Sequence, residues 1–219
     1  MINENKIWES YNNLLLSDDV SRLRKIISRY ELFKKTLNVP GDIIECGVFK
    51  GVSFLFWLKC LKIYTPNSSK KVVGFDMFSG FPKNLKAVEK KSAKKYIKKS
   101  DFKGIDPKSL SSLAKKILPE DRHELVSGNI TNTSKNYVKK NYGFKISLLH
   151  LDLDTYHGTK SALNNFFPLI SRGGVIILDE YGSRGWGETQ AVDEFLKDKK
   201  YKVEILNNTN SPTGYITKW

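Results

Sequence analysis

Two pairs of acidic residues come directly after two short apolar runs in the second half of the chain. Asp152 and Asp154 follow the run at 146–151, and Asp179 and Glu180 follow the run at 175–178. A helix-like stretch and a glycine-rich break separate the runs, which predicts a strand, a helix and a second, parallel strand. Because the carboxyl ends of parallel strands meet at one edge of a sheet, we expect the four carboxylates to face one cleft.

Such a cluster of carboxylates needs a compensating charge. Two like charges about 4 Å apart repel by roughly 4 kcal/mol at an effective dielectric constant near 20. A positive group must therefore lie among them, or some of them must be protonated. An all-oxygen ligand set favours a hard cation such as Mg²⁺, Ca²⁺ or Mn²⁺. A helix cap or a solvent-facing residue explains any single carboxylate, but it explains the two pairs together less well.

A glycine-bearing turn in the first half of the chain is a second candidate for ligand binding. An apolar run at 42–46 leads through Gly47 and Gly51 into a helix-like segment. Glycine lets the backbone approach a ligand closely, and a helix N-terminus presents free amides. The next apolar run ends at Asp76, where nucleoside-binding α/β folds hold a ribose. The glycine spacing alone is a weak signal, and Asp76 can also be read as a turn residue.

Composition limits the class of protein. The chain has 219 residues and a formal net charge of +14, which suits one globular domain that attracts anions such as nucleic acid, a membrane surface or phosphorylated small molecules. Cys46 and Cys60 lack metal-site spacing, and we expect buried free thiols. The first ten residues are polar, so we expect no signal peptide, and no apolar run reaches the roughly 20 residues of a membrane span, so we expect a cytoplasmic protein.

The order of the segments predicts an α/β domain with an N-terminal extension. We expect a helical segment at 1–38 that packs on the core and a main domain at 39–219. Nine lysines between 83 and 103 form either a solvated helix or a cationic lid at 77–105. Two β-rich runs at 201–206 and 214–219 predict a closing hairpin, with an antiparallel strand at the sheet edge.

Several blocks of this sequence resemble the macrocin O-methyltransferase family, a family of sugar O-methyltransferases that use S-adenosyl-L-methionine (SAM) and Mg²⁺. The resemblance covers most of the chain from Val39 to about Leu196. The blocks occur in order and at consistent separations. They read VPGDIIECGVFKGVS, FDMFSGFP, LHLDLDTYHGTKSAL, PLISRGGVIILDEYG and QAVDEFL.

This resemblance implies a fold, a set of site residues and a class of acceptor. The fold would be a Rossmann-like class I SAM methyltransferase, with helices on both faces of a seven-stranded, mostly parallel sheet whose last strand is antiparallel. The metal ligands would be Asp152, Asp179 and Glu180, and the general base would be Asp154. The acceptor would be a sugar or sugar conjugate, or a related vicinal diol. The positive charge of the chain, and not the resemblance, suggests that this acceptor can be anionic. Whether the protein forms a homo-oligomer is left open by the sequence. The SAM-binding residues would be Glu45, Gly47, Ser53, Asp76, Met77, Phe78, Gly128 and Asn129.

Some positions depart from the family pattern and leave alternatives open. Asp179 is followed by a glutamate where members often have a second aspartate, and His157-Gly158 replaces a more usual Glu-Ser pair, so the acceptor is less defined than the methyl donor. Asp152-Leu153-Asp154 is also a D-x-D motif, which in glycosyltransferases binds a metal with a nucleotide sugar. The positive charge alone would suit a nucleic-acid-binding protein, although no recognition motif is visible.

Overall fold

The computed structural model describes residues 4–99, 104–206 and 211–219. Its centre is a six-stranded sheet in the order β3-β2-β1-β4-β5-β6. The first five strands are parallel, and β6 runs antiparallel to β5. The mostly parallel sheet with an antiparallel last strand is therefore confirmed. The strands are β1 (Asp42–Cys46), β2 (Val72–Asp76), β3 (His123–Ser127), β4 (Ile146–Leu151), β5 (Ile170–Leu178) and β6 (Gly214–Thr217).

Helices cover both faces of the sheet. Strand β4 shows why the apolar runs are continuous: Leu149 and Leu151 pack into one core and Leu148 into the other, because alternate residues of a strand point to opposite faces. The helices α6, α7 and α8 cover the first face, and α2, α3 and α5 cover the second. The helices are α1 (Glu4–Leu16), α2 (Ser21–Lys34), α3 (Val52–Tyr64), α4 (Ala87–Lys99), α5 (Pro107–Ala114), α6 (Ile130–Lys140), α7 (Tyr156–Phe166) and α8 (Glu188–Leu196).

The expectation of a seven-stranded sheet is wrong, since the described residues form six strands. The pattern of the run at 201–206 predicts the partner strand of the closing hairpin. It makes only one isolated antiparallel bridge, between Glu204 and Tyr215, through two backbone hydrogen bonds of 2.8 Å. Ile205 in this run is 67% exposed, so a longer ladder here would bury little apolar surface.

Strand β5 begins earlier than the sequence pattern predicts. The glycine-rich stretch at 171–174 predicts a break before the strand, but it lies within β5. The register between β4 and β5 shifts opposite this stretch, between Ile146 and Leu148. Gly173 adopts φ +84° there, so the glycines permit an irregular strand start rather than a separate loop.

The N-terminal segment meets the core through its second helix. Helix α2 buries Ser28, Arg29, Leu32 and Phe33, whereas α1 has no buried residue. Cys46 and Cys60 are free and buried, as expected. Within the described parts of the chain, no helix is both long enough and apolar enough to cross a membrane.

Candidate active site at the carboxyl edge of the sheet

A cavity of about 990 Å³ opens at the carboxyl ends of β1, β2, β4 and β5. Asp152, Asp154, Asp179 and Glu180 all line it, so the parallel topology does bring the two acidic pairs into one cleft, as predicted. Helix α2 and the segment after β2 supply the other walls. The cavity is therefore the candidate active site.

Backbone strain is concentrated in the wall of this cavity. Among the described non-glycine residues, three have a left-handed backbone conformation: Phe49 (φ 50°), Phe78 (φ 52°) and Asp154 (φ 61°). All three line the cavity. Such conformations cost about 1–3 kcal/mol each and are typical of ligand-binding sites, where the surrounding structure holds them in place. Their location supports the assignment of the site.

The turn after β1 requires glycine because the backbone of another strand end passes very close to it. Gly47 has φ +95°, and its amide donates a 2.8 Å hydrogen bond to the carbonyl oxygen of Phe75. A Cβ atom at Gly47 would lie 1.8 Å from the carbonyl oxygen of Asp152. No side chain fits there, and the turn leads directly to the N-terminus of α3, where Ser53 faces the cavity.

The carboxylate of Asp76 ties the end of β2 to this turn. One oxygen accepts hydrogen bonds from the amides of Val48 (2.7 Å) and Phe49 (2.9 Å), and the other accepts one from the amide of Phe78 (2.6 Å). An ionised carboxylate has about four acceptor positions. Asp76 thus keeps capacity for one further donor from the cavity while it shapes the wall around it.

Most of the residues predicted to bind SAM lie around this cavity. Seven of the eight line it, and Glu45 does not. Glu45 is fully buried, and its Oε1 lies 3.3 Å from His150 Nδ1. Asn129 caps α6, since its Oδ1 accepts a 3.0 Å hydrogen bond from the amide of Thr131. The seven are Gly47, Ser53, Asp76, Met77, Phe78, Gly128 and Asn129.

Asp179 is the most enclosed carboxylate of the acidic cluster, with 1% of its surface exposed. Its Oδ2 accepts hydrogen bonds of 2.8 Å from Lys25 Nζ and from Ser211 Oγ. Its Oδ1 lies 3.3 Å from an Arg29 nitrogen and 3.4 Å from His150 Nε2. The positive charge that the cluster needs thus includes two side chains from α2.

The ionisation of the cluster follows from these contacts. Burial acts to raise the pKa of Asp179, but the hydrogen bond from His150 and the charges of Lys25 and Arg29 outweigh it and hold the pKa well below its usual range. Burial and the charge of Asp179 raise the pKa of Asp152 to about 6. Burial, then neighbouring carboxylates, raise the pKa of Asp154 well above its usual range.

His150 links the buried Glu45 to the cluster. It is fully buried between Glu45 and Asp179. Burial acts to lower its pKa, but the hydrogen bonds to Asp179 and Glu45 raise the pKa above its usual value. His150 is therefore a partner of two carboxylates rather than only a packed ring.

The donor chemistry of the cluster fits a hard divalent cation. Ligand atoms of His150, Asp152 and Asp179 lie within 4.8 Å of one another, so two of the three predicted metal ligands come together. Glu180, the third, lines the same cavity but is not part of this group. Carboxylate oxygens are the ligands that Mg²⁺ and Mn²⁺ prefer.

Three aromatic rings form an aromatic wall of the cavity. Phe81 and Trp186 are stacked, with centroids 5.6 Å apart and planes at 26°, and the ring of Tyr96 meets Phe81 edge-on at 6.4 Å. All three rings line the cavity. Flat apolar surfaces of this kind suit the face of a sugar ring.

The lysines of α4 lie on the outside of the molecule. The described lysine side chains of this helix are exposed, and the cationic lining of the cavity comes instead from Arg22, Lys25, Arg29 and Lys50.

Glu89 of α4 is fully buried and accepts hydrogen bonds from backbone amides. Its carboxylate accepts hydrogen bonds from the amides of Tyr156 (2.6 Å) and Lys86 (2.7 Å). Glu89 thereby caps the N-terminus of α7 from a different helix.

We expect Glu89→Ala to loosen α4 without unfolding the domain, because two half-buried backbone amides lose their acceptor. Trypsin should cut at the α4 lysines about tenfold faster than in the unmodified protein, since cleavage tracks the population of the opened segment. Val88→Ala, at an exposed position on the same helix, serves as the control. Equal cleavage rates in the two variants would show that Glu89 does not anchor α4.

Sequence reasoning missed Lys25, Arg29 and Glu89. The only local signal for the first two is that they are four residues apart and so share one face of a helix. Nothing in the sequence says that this face meets the carboxyl edge of the sheet. Glu89 is one of two acidic residues in the lysine-rich segment, and its acceptor role depends on a contact with α7.

Comparison with known proteins relates this architecture to one family. The model of the macrocin O-methyltransferase (TylF) family matches residues 19–213. Mycinamicin III 3''-O-methyltransferase of Micromonospora griseorubida is 28% identical over 147 residues, which cover 65% of this chain and 56% of that protein. A tetracenomycin-C 4'-O-methyltransferase of Streptomyces olivaceus is 25% identical over 147 residues, or 65% and 54%. The chain matches little more than half the length of these relatives.

Solved structures share the fold over nearly the whole chain. The crystal structure of CalS11, described as a calicheamicin methyltransferase, has a TM-score of 0.79 and 25% identity, and the match covers 100% of this chain and 87% of that one. The O-methyltransferase NovP has a TM-score of 0.74 and 20% identity, covering 89% and 79%. These likenesses identify the class I SAM methyltransferase fold, and the family match spans most of the chain. This protein therefore belongs to the macrocin O-methyltransferase family.

Proposed function

We propose that this protein is a SAM-dependent O-methyltransferase that acts on a hydroxyl of a sugar and uses a divalent cation. One observation supports the proposal: a single cavity is lined by Gly47 and Asp76 at the ends of β1 and β2 and by four carboxylates at the ends of β4 and β5. Family membership supports methyl transfer, and the printed names of the relatives support a sugar acceptor.

The methyl donor would lie along the turn after β1. When bound, SAM supplies an electrophilic methyl group on its sulfonium sulfur. Gly47 and Gly128 would allow close approach of the backbone, and the remaining acceptor capacity of Asp76 would bind a ribose hydroxyl. Met77 and Phe78 would enclose the adenine. Glu45 does not line the cavity, so its contribution to the site would be indirect, through its contact with His150.

The carboxylate cluster would hold the cation and receive the proton. Asp152, Asp179 and Glu180 would bind Mg²⁺, which supplies positive charge that lowers the pKa of a nearby hydroxyl. Asp154 would accept the proton of that hydroxyl. Its carbonyl oxygen accepts a 2.9 Å hydrogen bond from the amide of Gly187, which helps to hold the strained backbone that presents its carboxylate.

The acceptor would lie between the cluster and the aromatic wall. Phe81 and Trp186 would pack against the sugar ring, and two adjacent hydroxyls would face the carboxylates. The side chains of Arg22 and Lys50 line the cavity and favour an anionic acceptor, such as a sugar that carries a phosphate group. The exposed lysines of α4 are not needed for this arrangement.

Calorimetric titration with S-adenosylhomocysteine (SAH), with and without Mg²⁺, tests the donor site. We expect a Kd for SAH in the micromolar range, and this Kd should rise at least about tenfold in Asp76→Ala. The variant loses the proposed acceptor for a ribose hydroxyl and the hydrogen bonds from the backbone amides that shape the turn. Asp198→Ala, an exposed acidic residue, should bind like the unmodified protein. Absence of SAH binding under either condition would overturn the proposal and favour a nucleotide-sugar glycosyltransferase that uses the D-x-D motif.

A further inference from the structure

We propose that Lys25 is a resident counterion of the active site that competes with the divalent cation for Asp179 and so weakens its binding. The inference rests on the proposed function, in which Asp179 is a metal ligand. According to this inference, helix α2, which belongs neither to the sheet nor to its loops, lowers the affinity of the site for the metal ion.

The contacts of Asp179 give the first argument. Lys25 Nζ lies 2.8 Å from Oδ2, and an Arg29 nitrogen lies 3.3 Å from Oδ1. Each oxygen of this carboxylate therefore already faces a cationic side chain. A metal ion on either oxygen would stand beside a like charge, and that repulsion opposes binding.

The two cationic side chains differ in exposure and in number of partners, and this difference identifies Lys25 as the one that a metal ion would displace. The side chain of Arg29 is 9% exposed, and it also lies 3.7 Å from Asp152 Oδ2, so it is held between two carboxylates. The side chain of Lys25 is 23% exposed and reaches the cluster from the cavity wall. An ammonium on a flexible stem can move to solvent, whereas a buried guanidinium with two partners stays in place.

The structural role of α2 gives the second argument. The helix is anchored by its buried residues Ser28, Leu32 and Phe33, so Lys25 is delivered to Asp179 by a packed element. Removal of the Lys25 charge would therefore change the electrostatics of the cluster while the packing of α2 remains. The negative charge of Asp179 is therefore compensated by Lys25 before the metal ion binds. The site binds the metal ion less tightly for that reason.

Calorimetric titration with Mn²⁺ tests this competition directly, without any acceptor or turnover. In Lys25→Met the Kd for Mn²⁺ should fall by at least about tenfold, because even a water-like dielectric leaves a repulsion of that size between a unit charge and a divalent ion a few ångströms apart. Lys25→Arg keeps the charge, and Arg24→Met removes an exposed charge from the same helix. Both should stay within about threefold of the unmodified protein.

Thermal unfolding gives a second measurement. Mn²⁺ should raise the Tm of Lys25→Met more than that of the unmodified protein, since tighter binding to the folded state stabilises it more. If Lys25→Met fails to show a cooperative transition, Lys25→Gln carries the same comparison. Equal Mn²⁺ affinity in Lys25→Met and Arg24→Met would overturn the inference.

The failure of this inference can be distinguished from failure of the proposed function. No Mn²⁺ binding in any variant, together with normal SAH binding, overturns both the role of Lys25 and the proposed use of a divalent cation, and leaves SAM-dependent methyl transfer intact. Tighter Mn²⁺ binding in Lys25→Met without SAH binding in the unmodified protein supports the role of Lys25 and removes the methyltransferase assignment.

Discussion

Asp154→Asn should lower the turnover of methyl transfer by about 10²–10⁴-fold, the usual contribution of a positioned general base. The amide keeps the size of the side chain but cannot take up the hydroxyl proton. SAH affinity should change little, because the proposed cofactor residues are untouched, and Mn²⁺ binding should persist, because the three proposed metal ligands are intact. Initial rates with a sugar acceptor, together with the two titrations, measure this. Unchanged turnover would remove Asp154 from the mechanism.

The pH dependence of turnover should separate Asp154 from its neighbours. Burial, then the charges of Asp152 and Glu180, raise the pKa of Asp154 well above its usual value. A base acts only when it is deprotonated, so turnover should rise with pH through this raised pKa and level off above it. A bound cation favours the ionised form, so the rise should move to lower pH as the metal concentration increases. The rise assigned to Asp154 should be absent in Asp154→Asn.

Gly47→Ala should abolish SAH binding and destabilise the fold by several kcal/mol, an effect in the range of severe packing clashes. The added Cβ would lie 1.8 Å from the Asp152 carbonyl oxygen, so the strand end that carries the acidic cluster would have to move. Urea denaturation measures the loss of stability, and calorimetry measures the loss of SAH affinity.

Gly143→Ala is the matched control for that variant. Gly143 also has a positive φ, +82°, but a Cβ there would meet nothing within 4 Å. Its cost should be limited to the backbone term of about 1–2 kcal/mol, with normal SAH binding. If the two variants were equally destabilised, backbone conformation rather than close approach would explain the need for glycine at position 47.

Positive charge lies both at the surface of the protein and among the carboxylates of the cavity. The lysines of α4 that the structure describes lie at the surface, whereas Lys25 and Arg29 contact buried or half-buried carboxylates. Surface charges are screened by salt and contribute mainly to long-range attraction. Lys25 and Arg29 help to keep Asp179 ionised. A net charge of +14 thus says little about the site itself.

The sequence alone determined the parallel α/β sheet and the meeting of the acidic pairs. Apolar runs that end in carboxylates predict both, because parallel strands end at one edge whatever the details of packing. Local rules also account for the start of α5, where Asp106 caps the helix by accepting a 2.9 Å hydrogen bond from the amide of Ser109 and Pro107 is its first residue.

Only the tertiary structure decided which groups stand beside those carboxylates. Lys25 reaches Asp179 from 154 residues away, Glu45 turns to the buried His150, and Glu89 caps a helix other than its own. The run at 201–206 does not become a strand, although its pattern suits one. A periodic sequence pattern indicates which side of a segment is buried. Which charged side chains contact each other depends instead on which helices and strands pack together, and the whole chain determines that packing.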